Sequence, residues 1–95
     1  MTLAPRIVLH SPVVDHASLE PFVEQCLKDD VRLIAIWGEG AQALDEEVDW
    51  LVVGDGADES RYITTSSHPE ESLEEVLEFA SYWNCERDGL SEVRL

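Results

Sequence analysis

The stretch Trp50-Leu51-Val52-Val53-Gly54-Asp55-Gly56, followed after a short polar segment by Tyr62-Ile63-Thr64-Thr65, decides how this chain is read. Both apolar runs are short, rich in β-branched and aromatic residues and bounded by glycine or polar residues, which is the pattern of strands. A parallel return between two strands needs a crossover of about a dozen residues or more, and the polar segment is shorter than that. The spacing predicts an antiparallel hairpin between the third and fourth strands.

Upstream, Arg6-Ile7-Val8-Leu9-His10 reads as a first buried strand, ended by Ser11-Pro12. A helix is expected from Ser18, a start that puts Pro21 in the first turn, where its missing N–H costs nothing. Leu19, Phe22, Val23, Cys26 and Leu27 then repeat at helical spacing. Val31 to Trp37 is nearly continuous in apolar character and is closed by Gly38-Glu39-Gly40, as an interior strand covered on both faces would be. A short helix from Ala41 to Val48 follows, with Ala41, Leu44 and Val48 on one side and Asp45, Glu46 and Asp49 on the other. Downstream, Ser67-His68-Pro69-Glu70 has the form of a capping box with an early proline. It opens a last helix striped by Leu73, Val76, Leu77, Ala80 and Trp83. Val93 and Leu95 leave room for a further short strand.

The fold expected from this order is one α/β domain over residues 1–95. It has three layers and three helices around a mostly parallel sheet of four strands, five if the C-terminal segment joins. The element order is β-α-β-α-β-β-α, with a final β for the fifth strand, and the antiparallel hairpin lies at strands three and four.

Charge is the unusual feature of the composition. Asp and Glu number 21 against 6 Lys and Arg, a net charge of −15. Between Glu39 and Glu86 the only basic residue is Arg61. Such a chain is repelled by nucleic-acid backbones and anionic membranes, so neither is an expected partner. No apolar run approaches the ~18 residues of a membrane span, no signal peptide is read at the N-terminus, and Cys26 and Cys85 read as free thiols. A cytoplasmic domain, monomeric or weakly dimeric, is the expectation.

Catalytic and metal signatures are missing from the motifs. Gly38-Glu39-Gly40 and Gly54-Asp55-Gly56 continue to neither a dinucleotide fingerprint nor a P-loop, and their central carboxylates would repel phosphate. Asp55, Asp58 and Glu59 lack calcium-loop spacing. His10, His16 and His68 lack zinc spacing, and in the hairpin topology His68 falls at the opposite sheet edge from Asp55. No cofactor is expected. Among the tryptophans, Trp83 belongs to the core stripe and Trp50, starting a strand, is expected half-buried. Trp37, at a strand end, is the one expected to be partly exposed.

The segments Asp49 to Gly56, Tyr62 to Thr65 and Ser67-His68-Pro69-Glu70-Glu71-Ser72-Leu73 resemble small uncharacterised bacterial proteins. The resemblance covers about half the chain and implies no activity.

Two functions lead the expectations, ahead of a third, structural role in self-association through a sheet edge or the Trp83 end of the last helix. The first is a non-enzymatic protein-binding module whose acidic face, made of Trp37, Glu39, Asp45, Glu46, Asp49, Asp55, Asp58 and Glu59, meets a basic partner in the manner of an inhibitor or a nucleic-acid mimic. The alternative is a small enzyme, or a ligand- or metal-binding domain. It would use the crevice at the carboxyl ends of the parallel strands, where Glu39, Asp55 and His10 gather as acid, base or ligand.

Overall fold

Trp50 to Val53, read above as a strand, are the last turn of a helix. In a computed structural model of the chain, which describes residues 3–54, 56, 62–83 and 88–95, the strands are β1 (Arg6–Ser11), β2 (Leu33–Gly38), β3 (Thr64–His68) and β4 (Leu90–Val93). The helices are α1 (Leu19–Lys28), preceded by a 3₁₀ turn at His16–Ser18, α2 (Ala41–Val53) and α3 (Leu73–Tyr82). All strand pairs are parallel, in the order β3-β2-β1-β4. Neither the antiparallel hairpin nor a fifth strand forms among the described residues, and the C-terminal strand is the fourth.

The hairpin fails because α2 runs through its first half. Val52 extends the stripe of Ala41, Leu44 and Val48, all four buried. Burying a valine side chain is worth roughly 1.5–3 kcal/mol, which outweighs a β propensity spanning about 1 kcal/mol. No residue breaks the helix before Gly54, whose N–H bonds to the Trp50 carbonyl. A helix of 13 residues is long enough for a right-handed crossover, so β3 returns parallel to β2.

The start of the last helix also differs. Ser67 and His68 belong to β3, and the N-cap is Ser72. Pro69 disfavours helical geometry at His68, whereas Ser72 and Glu75 form a complete capping box: Ser72 Oγ accepts from the Glu75 N–H at 3.2 Å and Glu75 Oε1 accepts from the Ser72 N–H at 3.4 Å. At the first helix, Asp15 caps the 3₁₀ turn through the Ala17 N–H, and Ser18 is the N-cap of α1 with Pro21 in its first turn.

Side chains alternate across the pleat, and this divides the core. Ile7, Leu9, Ile34 and Ile36 pack with Leu19, Val23 and Cys26 of α1 and the α2 stripe. Val8, Leu33 and Ala35 face the other way, onto Val76 and Ala80 of α3. The result is three layers, with α1 and α2 on one face and α3 alone on the other. No helix among the described residues is long and apolar enough to cross a membrane.

Candidate functional site

The registers Val8↔Ala35↔Ser66 and His10↔Trp37↔His68, with Val8 also opposite Glu92, put His10, Trp37, Ser66, His68 and Glu92 on the α3 face of the sheet. The polar members stand near the carboxyl ends of the strands and form a connected row. At one end Glu92 Oε1 is 3.0 Å from His10 Nε2. The His10 ring meets Trp37 edge to face, with centroids 5.2 Å apart at 82°. The indole N–H of Trp37 donates to the Glu71 carbonyl at 2.7 Å. Beyond it, His68 Nδ1 lies 2.7 Å from Glu71 Oε1 and His68 Nε2 lies 2.8 Å from Ser66 Oγ. Both histidines are buried, and each has a carboxylate partner, so the row carries two groups equipped for proton transfer.

The opposite face of the same sheet end holds a cleft of about 200 Å³ lined by Ser11, His16, Glu39 and Glu47 among others. Ser11 Oγ donates to the Glu39 carbonyl at 2.6 Å, and His16 and Glu47 approach to 3.6 Å. Among the described residues no group of three or more His, Cys, Asp and Glu side chains is arranged to hold a metal ion.

A third feature lies on α2. Trp50 is 75% exposed, not half-buried as expected, because the helix turns its side chain away from the Leu44, Val48 and Val52 stripe. With Val53, 49% exposed, it floors an open groove of about 280 Å³ flanked by Glu46 and Asp49. Thr65 Oγ1 donates to Asp49 Oδ1 at 2.6 Å, tying this rim to β3.

The residues grouped in the sequence as one acidic face are therefore dispersed. Trp37 is partly exposed, as expected, but its indole is hydrogen-bonded within the α3-side row. Glu39 is in the strand-end cleft, and Glu46 and Asp49 edge the α2 groove. Asp45 is half-buried, with Oδ1 shielded and unpartnered among the described residues. Asp55, Asp58 and Glu59 lie outside the described residues, as does Cys85. Carboxylates occupy both outer layers, on α2 and on α3, so the charge is not confined to one face.

Sequence reasoning missed Ser66, Glu71 and Glu92, and set His68 aside for lacking zinc spacing and for the sheet edge that the expected hairpin gave it. A strand reading continued from Thr65 to His68 would have placed Ser66 and His68 on one face, two residues apart. It would also have moved His68 to the strand end it shares with His10. Nothing local marks Glu92, which reaches His10 only through the β1–β4 pairing.

Comparison with known proteins adds a family and no activity. A protein-family model described as a domain of unknown function (DUF7684) matches residues 4–93, nearly the whole chain, and the chain belongs to that family. No curated protein and no solved structure matches it.

Proposed function

We propose that this DUF7684 domain is a protein-binding module whose α2 groove docks a basic partner. The observation that carries the reading is Trp50, a large aromatic left exposed beside Val53 and between two carboxylates, Glu46 and Asp49. Tryptophan is among the commonest interface anchors because it buries much area at small entropic cost. A rim of like charge adds little affinity but selects partners of opposite charge and speeds their encounter. The net charge of −15 extends that attraction over the whole molecule. Inhibition of a basic protein by occupying its anion-binding surface is the concrete form of this function. Trp50 takes the anchoring place that the sequence assigned to Trp37.

The test is a low-salt pull-down from the source cell with wild type, Trp50→Ala and the double variant Glu46→Lys/Asp49→Lys. Recovery of a basic protein by wild type, lost in both variants and weakened by added salt, supports the reading. Recovery of no basic protein, or equal recovery by all three baits, overturns it.

A further inference from the structure

The β3 end of the α3-side row contains more than a pair of hydrogen bonds. Ser66 and His68, two apart on a strand, project from the same face, and the bend at Pro69 and Glu70 brings Glu71 back to the ring. Ionised Glu71 is a pure acceptor, so the hydrogen of His68 sits on Nδ1, 2.7 Å from Glu71 Oε1. In the neutral ring this leaves the Nε2 lone pair facing Ser66, whose hydroxyl donates to it across 2.8 Å. A nucleophile, a base and a group orienting that base stand in line, in the tautomer that general-base catalysis requires.

The surroundings hold the line in place and leave it approachable. His68 is 7% exposed, with the Phe79 ring 4.9 Å from its own. Trp37 secures the Glu71 backbone. β3 is the outermost strand on its side of the sheet, and Ser66 is half-buried rather than sealed. Phe79, 39% exposed, offers an apolar wall beside the base.

We propose that Ser66 is an activated nucleophile that accepts acyl groups from esters with good leaving groups, with His68 as its base and Glu71 as a positioning residue. Ser66 Oγ bonds to the ester carbon as its proton passes to His68 Nε2. The bond from that carbon to the leaving oxygen breaks, and Nε2 returns the proton to the departing alcohol. Water then attacks the acyl carbon, giving a proton to Nε2, and the acid is released as Ser66 regains its hydrogen. This activity is independent of docking at the α2 groove, which lies on the other side of the sheet.

The experiment treats the full chain with an alkyl fluorophosphonate and maps adducts by mass spectrometry, with p-nitrophenyl acetate as a second probe. The expected result is a single adduct on Ser66, absent from Ser66→Ala and from chain unfolded in urea. His68→Gln slows labelling at least about tenfold, the lower range for loss of a general base. Glu71→Gln slows it less and displaces the pH profile of labelling, which a purely structural carboxylate would not do. Circular dichroism checks that each variant is folded, and Ser66→Ala, which removes one oxygen, keeps the test open if the histidine variant is not. No adduct under excess probe, labelling spread over other serines at the same rate in Ser66→Ala, or an unmoved pH profile in Glu71→Gln with an unchanged rate overturns the proposal.

Discussion

The backbone carbonyl of Ser11 lies against the α-carbon of Gly38, its partner across β1 and β2, so closely that a β-carbon at Gly38 would overlap the oxygen. Gly38 also has φ of +117°, a region in which other residues are strained. The obstacle is backbone in a two-sided strand pair and cannot swing aside. Gly38→Ala is expected to destabilise the domain by about 3 kcal/mol or more, read as a lower urea midpoint. A change below about 1 kcal/mol would mean that the two strand ends separate at little cost.

Arg6 is a cation buried at the amino end of β1. Its Nε donates to the Trp83 carbonyl at 2.9 Å, at the end of α3, and its Nη1 to the Gly89 carbonyl at 3.3 Å, at the entry to β4. Positive charge at a helix carboxyl terminus is favourable, and carbonyls left there without donors are not. Arg6→Met keeps the apolar stem and removes the donors, and is expected to cost about 2 kcal/mol. Hydrogen exchange should increase first in α3 and β4; uniform acceleration across the sheet would contradict a local clamp.

Burial, with a smaller push from the Asp29 carboxylate, raises the Cys26 thiol from its ordinary 9.0 up to about 12. In the unfolded chain the thiol ionises at the ordinary value, so between pH 9 and 12 the folded state holds a proton that the unfolded state has lost. Stability should therefore fall as pH rises through that window, by up to about 1.4 kcal/mol per pH unit from this group. Denaturant titrations of wild type and Cys26→Ala measure it, and the variant's slope should be shallower. Near neutral pH, peptide mapping after iodoacetamide should find Cys26 unmodified in folded protein and modified in urea. Rapid alkylation of the native thiol would be incompatible with its burial.

Asp29 accepts the Leu3 N–H at 2.9 Å and the Gln25 side-chain amide at 3.0 Å, and these bonds lower its pKa below the ordinary 3.8. A depressed carboxylate stabilises the fold above its unfolded pKa, and the contribution disappears as pH falls through the folded value. Asp29→Asn should therefore match wild type more closely at pH 2 than at pH 7 in thermal melts. An equal difference at both pH values would count against the hydrogen bonds as the cause.

Much of the fold was legible because it rests on patterns that survive any arrangement. The stripe from Leu19 to Leu27, the run from Val31 to Trp37 and the stripe from Leu73 to Trp83 each had one reading, since period and length agreed. Trp50 to Val53 had two: four apolar residues fit a strand or one helical turn. Burial of Val52 behind Val48 settles which. Likewise both Ser67–Glu70 and Ser72–Glu75 have capping-box spacing; Pro69 weighs against the first, and the pairing of Ser67 and His68 with β2 excludes it.

Sequence alone determined that this chain is an acidic α/β domain, because charge and hydrophobic period are local properties that no packing alters. Which aromatic is left in water, and that His10 meets Glu92, was decided by the tertiary structure alone. Extending α2 by one turn moved Trp50 outward and made β3 parallel. Ser66 and Glu71 reach His68 from only two and three residues away, but the parallel pairing placed His68 beside Trp37, and the β1–β4 pairing brought Glu92 to His10. Such relations depend on strand register and direction, which arise from the simultaneous burial of segments far apart in the chain.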